Sequence, residues 1–391
     1  MLRNILRVLA AMLLIAAIAF FALAPGYVER SLNPVTAPVD GWPVSPQAQA
    51  LHERLIIGDW HSDALLWDRN LMKRVDRGHT DIPRLSEGNV AIQVFTTVTK
   101  SPSGQNYGTN SAGASDNITK LVIGQLRPPR TWFSLRARAL DQAARLNAMA
   151  ARDPEALRLI RSRTDLNAVL EARAAGTHTL GAILGSEGGH PLEGDITNLD
   201  LLHDAGFRLI GLTHFFDNEL GGSLHGESGA GLSDFGREVV AAMMAKGMII
   251  DLAHASPAMV RDVLAMDGTR PIVSHTGIHG NCATKRNLPN DLIRAIAAKG
   301  GVIGIGYWRD VTCGSDPAAI ARSIRAAVAL VGEDHVSLGS DYDGSVDAPF
   351  DTSDLAALTQ ALMDQGLSDA QIAKIMGGNM VRYLSQTLPE G

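Results

Sequence analysis

The chain has 391 residues, 46% of them hydrophobic, and a formal net charge of −6. That length and apolar content supply a large core, as one big domain or two ordinary ones, and exclude a disordered chain. The acidic balance, with Lys and Arg scattered rather than blocked, excludes a nucleic-acid partner, which would require a basic face.

The N-terminus begins MLRNILRVLAAMLLIAAIAFFALAPGYVER, with Arg3 and Arg7 ahead of an uncharged run from Val8 to Ala24. The run is long for the apolar core of a secretory signal and long enough to cross a bilayer. Its basic flank precedes it, so the N-terminus stays cytoplasmic and the rest is exported, to the periplasmic or extracellular face. Residues 1–25 are therefore expected to form a signal anchor, a transmembrane helix. The alternative is a cleaved signal peptide: Ala22, Leu23 and Ala24 resemble a cleavage site, although Pro25 is a poor residue to follow one. Residues 26–50, with four prolines, read as a linker, and 51–387 as the folded domain.

From residue 50 onward, short apolar runs end in polar or glycine-rich clusters. Eight such runs occur: RLIIGDWHSD, VAIQVFTTV, LGAILGSEGG, RLIGLTHF, GMIIDLAH, RPIVSHT, GVIGIGYW and HVSLGSDYDG. Between them lie segments of helical spacing, including Arg136 to Ala151, Phe235 to Ala245, Pro257 to Met266, Asp291 to Lys299 and Pro317 to Val331. Strand–helix alternation implies parallel strands with helical crossovers, and eight units fit an α/β fold closed as a (β/α)8, TIM-like barrel. An open doubly wound sheet is the alternative. Residues 100–118 are rich in Gly, Ser and Asn and read as a loop after the second strand, either covering the barrel mouth or without a role.

Most of these runs end in the same chemistry. His61, Asp63, Glu187, His214, His254, His275 and Asp341 each sit at or just beyond the C-terminal end of an expected strand. In a barrel those ends share one mouth, where active sites are built. Asp59, His61 and Asp63, at alternate positions, would face one side of an extended chain. Any one of these histidines alone can be a strand-end residue bonded to a carbonyl; together they form the ligand set of a hydrolytic divalent metal site, most often zinc. The set suffices for two ions about 3.5–4 Å apart, bridged by a carboxylate such as Glu187. Arg286 lies on the mouth side after the sixth run, where a guanidinium can grip a carboxylate; its ordinary alternative is a surface arginine before a helix. Asp343 reads as a turn acid, His190 and His279 as surface residues, and the remaining histidines as solvated or locally bonded. The two cysteines, Cys282 and Cys313, are too few for a disulfide scaffold or a thiolate zinc site. They form one bridge in an exported protein or two buried thiols in a cytosolic one. No G-x-S-x-G elbow, Walker A, HExxH or dinucleotide fingerprint is present.

The stretches DWHSD, GSEGGHPL, GLTHFFDN, GLSDFGREVVAAMMAKGMIIDLAHAS, VSHTGIHGNCATKRNLPND, LGSDYDG and GGNMVRYL resemble the renal, or membrane, dipeptidase family of zinc metallopeptidases. The resemblance implies an amidohydrolase-like barrel holding two Zn2+ ions and hydrolysing dipeptides with a zinc-bridged hydroxide. It implies that His61 and Asp63 hold one zinc, that Glu187 bridges, and that His254 and His275 hold the second. His214 would polarise the substrate carbonyl, Arg286 would bind the C-terminal carboxylate, and Asp341 would carry the proton from water to the leaving amine. It also pairs Cys282 with Cys313, and by analogy allows a homodimer. The chain departs from the family's Asp-Gly-His-Asn-Asp at Trp60 and Ser62, and the bulk of Trp60 is expected to reshape the adjacent pocket. Alternatives are a related amidohydrolase acting on a lactone, a β-lactam or an N-acyl amino acid, and, in another class, a non-catalytic binding barrel.

Overall fold

A computed structural model describes residues 1–391. Nine parallel strands form: β1 (Ile57–Ser62), β2 (Val90–Val98), β3 (Leu157–Leu159), β4 (Leu180–Glu187), β5 (Phe207–Gly211), β6 (Ile249–Asp251), β7 (Val273–Thr276), β8 (Ile303–Ile305) and β9 (Val336–Leu338). Their order is β6-β5-β4-β2-β1-β9-β8-β7, with β3 appended to the start of β4. The ring nearly closes: Ile272 donates its N–H to Ile250 O (2.9 Å) and accepts from Leu252 N (2.8 Å), joining β6 to β7. This is the expected eight-strand barrel, and all eight apolar runs supply a strand.

The crossovers are helical where spacing predicted: Leu135–Arg152, Asp234–Ala245, Pro257–Ala265, Asn290–Ala298 and Pro317–Val331. Four of them begin with a side chain accepting a bond from an otherwise unpaired N–H of the first turn. Ser134 serves Ala137, Ser233 serves Gly236, Ser256 serves Met259 and Asp316 serves Ala319. Pro257 and Pro317 fill first-turn positions that need no donor.

Alternation along the strands divides the barrel interior into an apolar floor and a polar top. On β2, Ile92 and Val94 share a face with Thr96, which reaches Asp63; on β4, Ile183 shares a face with Glu187. Ile92, Val94, Ile183, Leu209, Ile249 and Val302 form one buried cluster, plugged by Met380 and Tyr383 of the C-terminal helix Asn379–Thr387. The floor fixes the strands; their C-terminal ends are left to carry polar side chains.

The N-terminal helix runs from Leu2 to Leu32, past Pro25, and its apolar window is wholly unburied, as fits a membrane or signal anchor. The linker expected over 26–50 is instead packed against the barrel. Glu29 is buried and pairs with Arg69 and Arg77, each at 2.6 Å. Thr36 N donates to Ala348 O (2.8 Å) and Trp42 Nε1 to Pro349 O (2.8 Å), and Ser45 caps a helix over Pro46–His52. Proline content marks the non-helical path of residues 33–45, but not the helices on either side or the long-range partners that pin it down.

Candidate active site

Glu187, the last residue of β4, sits at the centre of the mouth. Its Oε1 lies 3.2 Å from His254 Nε2, 3.4 Å from His275 Nε2 and 3.5 Å from His61 Nε2. Its Oε2 lies 3.1 Å from His214 Nε2. His61 Nε2 is also 3.4 Å from Asp63 Oδ1 and 3.8 Å from Asp341 Oδ1. The donor atoms fall into two groups that share Glu187: His61, Glu187, His275 and Asp341, and Glu187, His214 and His254, each within 4.8 Å. His254 Nε2 and His275 Nε2 are 3.0 Å apart, so the groups are contiguous.

Two of these residues occupy left-handed backbone: His254 at φ 62° and Asp341 at φ 60°. Such conformations are costly for residues with side chains and persist where the surroundings enforce them. The His254 carbonyl is held by Leu224 N (2.7 Å) and Thr213 Oγ1 (2.9 Å). Asp341 needs Gly344, because a Cβ there would stand 2.2 Å from Asp341 Oδ1.

The electrostatics suit a cation. Asp63, Glu187 and Asp341 are all buried, an arrangement unfavourable for carboxylates without strong compensation. Burial, then repulsion from Asp63 and Asp341, pushes the Glu187 carboxyl well up. Burial likewise raises Asp341 to about 7, His61 opposing and Asp63 adding to the rise. Burial holds His254 and His275 well below the usual imidazole range and brings His214 to about 4, so these rings are neutral. Neutral imidazoles and carboxylates without thiolate fit one or more hard-to-borderline divalent ions.

The ring orientations fit too. His61 Nδ1 and His275 Nδ1 converge on one hydroxyl, Ser274 Oγ, at 3.2 and 2.8 Å. That hydroxyl donates its only proton to Asp251 Oδ2 at 2.6 Å. Both imidazoles must then donate Nδ1–H to Ser274, which turns both Nε2 atoms toward the centre, where a neutral ring offers its lone pair. Sequence reading passed over Ser274 and Asp251, although Ser274 directly precedes His275 and Asp251 ends the run that leads to His254.

Arg286 lines the same pocket and is buried. Its Nη2 donates to His275 O (2.9 Å) and lies 3.2 Å from His254 Nε2, whereas Nε and Nη1 have no partner. Its guanidinium carbon lies 5.4 Å from the centre of the Trp308 ring. The surface-arginine alternative is thereby excluded. The loop carrying it is tied by Asn287, which accepts from Gly277 N (2.7 Å) and donates to Cys282 O (2.9 Å), and by the Cys282–Cys313 disulfide. The loop over 100–118 does reach the mouth: Tyr107 lines the pocket, and its hydroxyl accepts from Trp308 Nε1 at 2.9 Å. Tyr107 carried no sequence signal, since nothing in a Gly/Ser-rich loop marks one aromatic as a pocket wall.

Several expectations need correction. Asp59 does not join His61 and Asp63 facing the centre; its Oδ1 accepts from His61 N (2.9 Å) and Ser340 N (3.1 Å). The pairing of β1 shifts register between Asp59 and Ser62, which breaks the simple alternation. Trp60 does not line the catalytic pocket; it joins the apolar floor and meets Tyr383 edge-on at 5.5 Å. His190 is buried, not at the surface, with neither ring nitrogen partnered. Asp343 is a turn acid, as expected, and is also buried, held by Arg69, His79 N (2.7 Å) and Thr80 N (3.2 Å). His225 is buried beside the site, its ring 5.5 Å from that of His254 and its Nδ1 bonded to Tyr107 O (3.1 Å).

A parallel α/β barrel whose strand ends gather histidines and carboxylates beside a buried arginine defines a metal-dependent hydrolase. The chain belongs to the membrane dipeptidase family, peptidase family M19, whose profile matches residues 45–388. It is 29% identical over 367 residues to dipeptidase aclJ of Aspergillus oryzae, covering 87% of this chain and 80% of that protein. Among solved structures, the fold is similar to that of the probable dipeptidase PvdM from Pseudomonas aeruginosa. That pair has TM-score 0.72 at 19% identity, over 88% of this chain and 98% of the other. A metallo peptidase from Rhodobacter sphaeroides, liganded with a phosphinate mimic of the dipeptide L-Ala-D-Ala, matches with TM-score 0.69 at 23% identity, over 85% and 99%.

Proposed function

We propose that the chain is a zinc-dependent dipeptidase with two ions per chain. His61 and Asp63 would hold one ion, His254 and His275 the other, and Glu187 both. The observation that carries this reading is the convergence of the buried donor set on Glu187 beside Arg286, whose Nε and Nη1 are buried without partners. When bound, the ions would lower the pKa of water toward neutrality and draw charge from the scissile carbonyl. The side chains do the rest. Arg286 binds the α-carboxylate of a dipeptide and so sets substrate length, because a longer peptide carries its terminus elsewhere. His214 faces the carbonyl and supports the developing oxyanion. Asp341 takes a proton from the attacking water and returns it to the amine as the C–N bond breaks. Burial brings its carboxyl near the pH at which such a shuttle works in both directions. A metal-loaded preparation should hydrolyse unblocked dipeptides, lose that activity to a chelator and regain it with zinc; no turnover across a dipeptide library would end the proposal.

The Ser274 hydroxyl orients two of the proposed ligands, so Ser274→Ala should weaken zinc binding by about 10- to 100-fold. Competition against a chromophoric chelator measures this without reference to turnover; unchanged affinity would remove the assigned role.

We further propose that the N-terminal helix anchors the enzyme with its barrel on the periplasmic or extracellular side. The full chain should sediment with membranes and resist carbonate extraction. Recovery of a soluble protein whose N-terminus begins just after Ala24 would identify a cleaved signal peptide instead.

A further inference from the structure

The last turns of the N-terminal helix form one wall of an apolar groove. Glu29 is drawn inward by Arg69 and Arg77, and this fixes the rotation of the helix. Val28 and Leu32, one turn apart, then face Leu66, Trp67, Ile118 and Leu121 across a gap. Val28 and Leu32 are 37% and 43% exposed, so the groove is lined with apolar surface that the fold does not cover.

This groove adjoins the catalytic pocket. Leu66, Ser101, Gln105, Ile118 and Ser345 line both. A ligand held by Arg286 and the Glu187 cluster can therefore extend past Leu66 and Ile118 toward the helix. Beyond the groove, the helix continues into the unburied apolar span ending at Ala24. Apolar span, helix end, groove and reacting centre thus lie in sequence.

We infer that the groove receives a long apolar side chain of the substrate, so that the preferred substrates are amphiphilic dipeptides. This rests on the dipeptidase reading and specifies its substrate class. The reaction is unchanged: one water is consumed, its hydroxyl joins the carbonyl carbon, the C–N bond breaks and the leaving nitrogen takes the water's other proton.

The test uses the full chain in detergent, zinc-loaded, with Ala-Ala and two series in which either side chain lengthens from methyl to octyl. One series should gain in kcat/KM by about fourfold for each methylene that enters the groove. Leu121→Glu and Leu32→Glu, at positions that line the groove and not the catalytic pocket, should each abolish that gain and leave Ala-Ala turnover unchanged. A gain that survives in both variants, or no gain in either series, overturns the inference while leaving the dipeptidase reading intact. If no dipeptide is cleaved, that reading fails. Equilibrium dialysis of the octyl dipeptides then decides the groove alone: binding at least tenfold tighter than Ala-Ala, lost in Leu121→Glu, supports it, and equal binding overturns it.

Discussion

Arg286→Met is expected to reduce kcat/KM for a free dipeptide by roughly 10²–10³-fold, a loss of about 3–4 kcal/mol. The size follows from burial: the guanidinium is sequestered with Nε and Nη1 unpartnered, so a substrate carboxylate bound as proposed would satisfy donors that the protein leaves unpaired. Arg286→Lys should recover only part of the loss, because an ammonium cannot present a planar fork and would not stack on Trp308 in the same way. The parent enzyme should handle a C-terminally amidated dipeptide poorly, and the Met variant should lose little more on it. Steady-state kinetics on the matched substrates decide the matter. Equal losses on free and amidated dipeptides would point to a damaged loop, since Nη2 also supports His275 O, and would remove the clamp.

Glu187→Gln should have an effect at least as large. The amide preserves shape but removes the charge toward which His61, His254 and His275 converge. Both proposed ions share this carboxylate, so zinc content should fall from two per chain to below one, with activity falling by about 10³-fold or more as several kcal/mol of charge stabilisation disappear. Elemental analysis and circular dichroism on the same sample separate the two causes of inactivity. The expected result is a folded, metal-poor protein. Full zinc content with retained activity would remove Glu187 from the centre. The substitution also relieves crowding among Asp63, Glu187 and Asp341, so thermal stability of the metal-free variant should not fall.

How far the sequence reaches can be judged from particular residues. The eight barrel strands were legible because each is an apolar run closed by polar residues, and the main crossover helices because their apolar positions recur at helical spacing. β3 was not: its three residues, Leu157, Arg158 and Leu159, form no run, and only pairing with β4 makes them a strand. The histidines and carboxylates of the mouth were legible because strand ends converge in any barrel. Ser274 and Asp251 were not, because a hydroxyl that serves two imidazoles exists only after β6 and β7 are side by side. Trp60 shows the limit of local rules: a one-strand register shift sends it to the floor, where composition alone would leave it beside the pocket.

With the N-terminal helix as the proposed anchor, the pairing of Glu29 with Arg69 bears on how the barrel would be released from a membrane. Arg69 bonds Glu29 on one side and Asp343 on the other, and Asp343 lies in the same turn as Asp341. A protease cutting within the proline-bearing stretch after Leu32 would shed a barrel with Arg69 and Arg77 stripped of a buried counter-charge, beside the turn that holds Asp341, the proposed proton shuttle. A cut between Ala24 and Val28 would shed one with the pair intact. Only that narrow interval separates a releasable enzyme from a crippled one, and signal-peptide cleavage after Ala24 would fall inside it.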